Sequence, residues 1–287
     1  MTGRRRGSEP GGDAALAVQT VTARLAAAAK YRDVHPDTIA DVVRRASEST
    51  KDVAELERQA RARLHKVAAL HLITVRPAVL RRDAAPGDGD GDGTDDADGA
   101  DARRAWCRRM LAAHVSTAER LSDLDQFYPA LLALVPPPVT VTDLACALNV
   151  FTLPWLRDCT DASYTGYDLN ATFVALGNEF LSRDYPGCEV RHEDVLTANP
   201  PVTADLALLL KTYHCIEGRQ PGAGLRLVDT LAASHVVVSF PTRAMNGRAA
   251  TFARRHVEDL AGLAGQRGWR VARASLPTEE FVAISKA

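Results

Sequence analysis

Between residues 14 and 80 apolar side chains recur at three- and four-residue spacing among Arg and Glu, as in "DVVRRASESTKDVAELERQARARLHKVAALHLI", and this predicts helices. "HPDTIADVV" marks a helix start, with Asp37 or Thr38 as the cap and Pro36 just before it. The pattern then breaks at "RRDAAPGDGDGDGTDDADGADARR", whose Gly and Asp leave nothing to bury, so residues 83–102 are expected to form a disordered insertion. "DGDGDGTDD" has a superficial calcium-loop spacing, but no closing Glu follows it. Helical spacing resumes at "RRAWCRRMLAAHVSTAERLSDLDQFYPALLALV" and stops at Pro136–Pro138.

Beyond the prolines the period changes. "VTVTDLACAL", "SYTGYDL", "CEVRHEDV", "ADLALLLK", "HVVVSFP", "WRVARASL" and "EFVAISKA" read as seven strands. Helical stretches such as "ATFVALGNEFLSRD" and "AATFARRHVEDLAGLAGQRG" separate them, which indicates βαβ units and a mostly parallel sheet. The last two strands form an antiparallel hairpin. The expected organisation is a tail over 1–13, a helical N-terminal domain over 14–135 and an α/β Rossmann-like domain over 136–287. Seven strands ending in a hairpin describe the class I S-adenosylmethionine-dependent methyltransferase sheet.

Composition narrows the function only slightly. The 287 residues are 46% hydrophobic and 25% charged, with a formal charge of −1, which gives no global support to nucleic-acid binding. Five cysteines without a C-x-x-C pair indicate reduced thiols, no zinc site and a cytoplasmic protein. No apolar run is long enough to span a membrane, and the basic N-terminus lacks the hydrophobic segment of a secretory signal.

Ligands of doubly wound sheets sit at the carboxyl ends of the strands. The first strand ends in Asp143 and the turn "ACALN", where Ala145, Ala147 and Asn149 let the backbone approach a ligand. The second ends at Asp168 and Leu169, placing an acid for two ribose hydroxyls. The third ends at Asp194 and Val195, beside Glu193, suited to an adenine amine. The fourth brings Lys211, Tyr213, His214 and Glu217 over the reacting end of the cofactor. Three acids in this order indicate S-adenosylmethionine as co-substrate, with no metal.

The chain resembles the aminoglycoside-resistance family of 16S ribosomal RNA (guanine-N7) methyltransferases. The resemblance lies in "AAAAKYRDVHPDTIADVVRRA", "HVSTAERLSDLDQFYPALL", "DLACALNVFTLPW", "GYDLNATFV", "ADLALLLKT" and "VVSFPTRAMNGR". It implies that Arg120 binds the methionine carboxylate, Ala147 lines the methionyl arm, Asp168 takes the ribose and Asp194 lies near the adenine. The departures fall in the motifs. The family turn D-L-A-C-G-L-N-P has Ala147 for its glycine and Val150 for its proline, a change of little cost if φ is negative. L-P-C-L-E after the fourth strand is replaced by Tyr213 to Glu217. Arg243 and Arg248 survive in the basic stretch, but a downstream lysine and a Gly-Met pair do not.

A sulfonium has three electrophilic carbons, and the one in line with the nucleophile reacts. These departures lead to the expectation of a divergent member resembling the isonocardicin synthase type of 3-amino-3-carboxypropyltransferase. Such an enzyme of antibiotic biosynthesis would alkylate the phenol oxygen of a small-molecule, nocardicin-type β-lactam acceptor and release methylthioadenosine. A phenol with a pKa of about 10 needs a base, for which His214 is placed first and Glu217 second. Lys211 would stabilise the phenolate and Tyr213 would stack on the acceptor. The alternative is 16S rRNA guanine-N7 methylation, with the ribosome as partner and the helical domain docking on it.

Overall fold

A computed structural model describes residues 10–69, 97–197, 203–243 and 252–286. The chain divides into two compact units after Leu70.

The first unit is built of α1 (Pro10–Ala26), α2 (Pro36–Ser47) and α3 (Val53–Leu64), with a π-helical turn over His65–Ala69. Val21, Leu25, Ile39, Val42, Val43, Leu56 and Leu64 are buried, as the three- and four-residue spacing requires. α1 reaches back to Pro10, into the segment expected to be a tail. The cap of α2 is neither Asp37 nor Thr38. Pro36 occupies the first turn, where its missing N–H is harmless, and His35 Nδ1 accepts from the Asp37 N–H at 3.3 Å. Thr38 is buried instead. α3 is capped by Asp52, which accepts from the Glu55 N–H at 2.8 Å.

The second unit contains all seven strands. These are β1 (Thr140–Leu144), β2 (Ser163–Asp168), β3 (Glu189–His192), β4 (Thr203–Leu210), β5 (Ala232–Pro241), β6 (Arg270–Ser275) and β7 (Glu279–Ser285). Their order is β3-β2-β1-β4-β5-β7-β6, parallel from β3 to β5, with β7 antiparallel to both β5 and β6. β4 shows why the central strands read as unbroken apolar runs: both its faces are covered. Leu206, Leu208 and Leu210 enter one core, Ala207 and Leu209 the other. The edge strand β6 is largely exposed and carries Arg270 and Arg273, charges that oppose pairing with another chain.

The first core is closed by α4 (Ala97–Leu111), α6 (Leu124–Leu132), α7 (Leu153–Arg157) and α8 (Ala171–Asp184), with the single turn α5 (Val115–Ala118) before α6. The second is closed by α9 (Tyr213–Arg219), α10 (Ala223–Thr230) and α11 (Phe252–Arg267). Thus the helices between 97 and 132, grouped by sequence with the N-terminal helices, pack on the sheet: Trp106, Met110, Phe127 and Leu131 are part of its core. α4 begins at Ala97, so the end of the supposed insertion is helical; the "DGDGDGTDD" segment lies outside the described residues.

Candidate active site

The first strand hands over to its turn through two left-handed alanines, Ala145 at φ 59° and Ala147 at φ 46°. The condition for a low-cost alanine, a negative φ, is therefore not met at Ala147. A Cβ in this region costs about 1–2 kcal/mol. Three bonds hold the turn nonetheless: Cys146 N–H to the Tyr167 carbonyl at 2.9 Å, Ala147 N–H to Asp168 Oδ2 at 2.9 Å, and Asn149 N–H to the Cys146 carbonyl at 2.8 Å. Gly166 on β2 permits this close approach, since a Cβ there would lie 2.8 Å from Cys146 Sγ. Lys211, at φ 55° after β4, is the third non-glycine residue with a positive φ among the described residues. All three lie at carboxyl ends of neighbouring strands, where strain of this kind accompanies function.

The three acids follow. Asp143, at the end of β1, is buried; its Oδ2 accepts from Asn149 Nδ2 at 2.7 Å and from the Tyr164 hydroxyl at 3.0 Å. Its Oδ1 is buried without a protein partner, and burial pushes the carboxyl up to about 6. Asp168, at the end of β2, accepts from the Asn170 N–H at 2.8 Å as well as from Ala147. Burial raises it to about 6 too, against the opposing pull of those two N–H groups. Asn170 then caps α8. Asp194 accepts from the Leu196 N–H at 3.0 Å and pairs with Arg219 Nη1 at 2.6 Å, a partner that sequence reasoning missed. Leu169 is half-buried, and its carbonyl accepts from His192 Nε2 at 3.0 Å; Val195 is buried in the second core.

Arg120 and Lys211 converge on an acid that the sequence did not single out. Glu279, the first residue of β7, is fully buried. Arg120 donates to it through Nε at 3.0 Å and Nη2 at 2.8 Å; Lys211 Nζ lies 3.7 Å away, and the Ser239 hydroxyl donates to it as well. Burial alone would raise the Glu279 carboxyl, but Arg120 and Lys211 hold it below the usual carboxylate range. Arg120 also donates to Asn149 Oδ1 and lies 4.1 Å from the centre of the Phe127 ring. Lys211 donates to Glu119 Oε2 at 2.9 Å and to the Ser116 carbonyl at 3.3 Å. A continuous buried chain thus runs from Lys211 through Glu279, Arg120 and Asn149 to Asp143 and Tyr164. The signal was an acid opening an apolar strand, "EEFVAIS".

The remaining residues at the fourth strand do other work. Tyr213 is fully buried, edge-on to Phe240 and His256, and is part of the core rather than a platform for an acceptor. Glu217 caps α10: Oε1 accepts from Gly224 at 2.7 Å and Leu225 at 3.4 Å, and Oε2 from Gly222 at 2.7 Å. His214 is half-buried in the first turn of α9. Arg243 is exposed, and Arg248 lies outside the described residues. All five cysteines are free. Among the described residues no cluster of His, Cys, Asp or Glu is arranged to hold a metal, and no helix is long and apolar enough to cross a membrane.

Comparison with known proteins bears on this site directly. Residues 27–284 match the family described as ribosomal RNA methyltransferase (FmrO). A 16S rRNA (guanine(1405)-N(7))-methyltransferase of Frankia casuarinae is 32% identical over 281 residues, covering 95% of each chain. One from Micromonospora rosea is 30% identical over 262 residues, covering 90% of this chain and 92% of its own. Among solved structures, an rRNA methylase from Escherichia coli superposes with a TM-score of 0.74 at 26% identity, covering 94% of this chain and all of the other. The 16S rRNA methyltransferase RmtF, solved with S-adenosyl-L-homocysteine, gives 0.77 at 24% identity over 98% of this chain and all of its own. The fold is that of class I S-adenosylmethionine-dependent methyltransferases.

These matches overturn the expected aminocarboxypropyl transfer to a phenolic acceptor and its place in antibiotic biosynthesis: the full-length relatives are rRNA methyltransferases. The structure explains why the two motif departures misled. Val150 is fully buried in the first core, and a Cβ on Gly177 would lie 3.3 Å from its Cγ1, so it faces α8. Ala147 packs against that same core. The Val150 change is absorbed by packing behind the turn, whereas the Ala147 change is carried as backbone strain in a half-buried turn. The chain belongs to the FmrO family of ribosomal RNA methyltransferases.

Proposed function

We propose that the protein transfers a methyl group from S-adenosylmethionine to N7 of a guanine in 16S ribosomal RNA, the position being guanine 1405, as in the names of its relatives. The reading rests on the family match over residues 27–284. The site residues fit the cofactor. Asp143 Oδ1 is a buried acceptor without a protein partner, and the half-buried Ala145 and Ala147 form the turn that follows it, with the Ala147 N–H on Asp168. In this reading Asp168 holds the ribose, Asp194 the adenine and Arg120 the methionine carboxylate, with Leu169 and Val195 flanking the base.

When bound, S-adenosylmethionine supplies an electrophilic methyl on a positively charged sulfur. Guanine N7 carries an in-plane lone pair and no proton, so its attack needs no general base. That agrees with the fourth strand end, where the Glu217 carboxylate is consumed by three backbone N–H groups and Tyr213 is sealed in the core. What the residues must do is position and exclude water. The first unit fits a role on RNA: Arg32, Lys51, Arg63 and Lys66 are exposed and make no ion pair among the described residues. A ribosomal substrate also fits a cytoplasmic protein.

The test is incubation with methyl-tritiated S-adenosylmethionine and unmodified small ribosomal subunits, followed by strand scission at 7-methylguanine and primer extension. Label at guanine 1405 with release of S-adenosylhomocysteine is expected. Methylthioadenosine as by-product, or unlabelled RNA, would refute the reading.

A further inference from the structure

We infer that Glu279 is a positioning residue for the cofactor's methionine carboxylate, acting through Arg120; the inference rests on the S-adenosylmethionine reading of the site. A guanidinium has five N–H donors. Glu279 takes the Nε donor and one from Nη2, and Asn149 takes one from Nη1. One N–H remains on each of Nη1 and Nη2, donors available to a second carboxylate. The side chain of Arg120 keeps 2% of its exposure and that of Glu279 none, so of the two the arginine is the one left for a ligand to reach.

The electrostatics point the same way. Arg120 and Lys211 bring two positive charges into a buried region, and a lone buried cation is costly. Glu279 supplies the anion between them, within 2.8 Å of one and 3.7 Å of the other. It is fixed by the Ser239 hydroxyl, whose own residue accepts the Lys211 N–H at 3.0 Å. Neighbouring strands β4, β5 and β7 thereby lock one carboxylate, and that carboxylate locks the plane of Arg120 against Phe127. Without it, Arg120 has no reason to keep one edge turned to the methionyl arm.

The test separates this role from a merely structural one by comparing two ligands. S-adenosylhomocysteine has the amino-carboxypropyl arm; methylthioadenosine shares its nucleoside but has no carboxylate. Calorimetry on the full chain is expected to show that E279Q weakens S-adenosylhomocysteine about tenfold or more while methylthioadenosine stays within about twofold. E279D keeps the charge in the core but retracts it from Arg120; it is measured alongside and is the reading to use if E279Q does not fold. Equal losses for both ligands, or no loss for either, overturn the inference. Failure of the unsubstituted protein to bind S-adenosylhomocysteine would instead refute the cofactor assignment itself.

Discussion

The Ala147 N–H donates to Asp168 Oδ2 at 2.9 Å, so the strained turn after β1 and the acid at the end of β2 form one unit. Ala147 holds φ 46° where the family motif has glycine. Replacing it with glycine removes about 1–2 kcal/mol of strain and returns about 0.4–1 kcal/mol of chain entropy to the unfolded state. A147G is therefore expected to be more stable by roughly 0.5–1 kcal/mol. A147V, which places a β-branched side chain in the left-handed region, is expected to lose stability. Urea unfolding checks both; a destabilised A147G would contradict the account of the turn.

If Asp168 holds the ribose as proposed, cofactor binding is expected to depend on pH. Burial lifts its carboxyl from 3.8 to about 6, and the neighbouring Asp143 and Asp194 push in the same direction, while the Asn170 and Ala147 N–H groups pull it down. Only the ionised form accepts from both ribose hydroxyls, so S-adenosylmethionine affinity is expected to fall as pH drops below about 6, approaching tenfold per pH unit. Stability runs the other way. The native state holds this proton more tightly than the unfolded chain, so the contribution of this one carboxyl to stability is fully present below 3.8 and is lost as pH rises through about 6. Calorimetric titration from pH 5 to 8 reads the first effect, and D168N should abolish its pH dependence along with most of the affinity.

Glu217 should matter for folding and not for chemistry. E217A frees three backbone donors at the start of α10 and is expected to cost about 1–3 kcal/mol. With guanine N7 as nucleophile, kcat at a temperature where the variant is folded should stay within about twofold. A loss of a hundredfold without loss of stability would restore the acid as a base.

The first unit is expected to contribute affinity through phosphate contacts. K66A and R63A, exposed changes on the face away from the buried Leu64, should weaken binding to the small subunit without altering S-adenosylmethionine affinity. Each should lower the dependence of log K on log salt by about one. Filter binding across a salt series reads this slope, and an unchanged slope would remove the residue from the interface.

The strands were legible because Leu206–Leu210 of β4 and Val236–Val238 of β5 are covered on both faces and are apolar without a break. The three acids were legible because each ends a strand. Glu279 was not: an acid in "PTEEF" reads as part of a hairpin turn, and its partner Arg120 lies 159 residues earlier. His35 went unread as a cap because histidine seldom serves as one. The formal charge misled more seriously. Residues 83–102 hold eight aspartates and no basic residue, so an overall −1 is −8 set against +7 for the rest. A balanced total concealed a basic protein carrying a short acidic segment. Val150 and Ala147 were over-read because a motif shows which positions changed but not which way their side chains face.

The Arg120–Glu279 pair also sets an order on assembly. Its loop spans more than half the chain, and closing a long loop is slow compared with forming a helix. β7 enters the sheet between β5 and β6, so the sheet remains short of an inner strand until residue 279 and those after it are available. During synthesis the strands carrying Asp143, Asp168 and Asp194 can pair early, while Arg120 still has no anion to rest against. In the proposed reading, the methionyl end of the site is therefore finished last, and a nascent chain would have the ingredients of a nucleoside pocket before it has a place for the carboxylate.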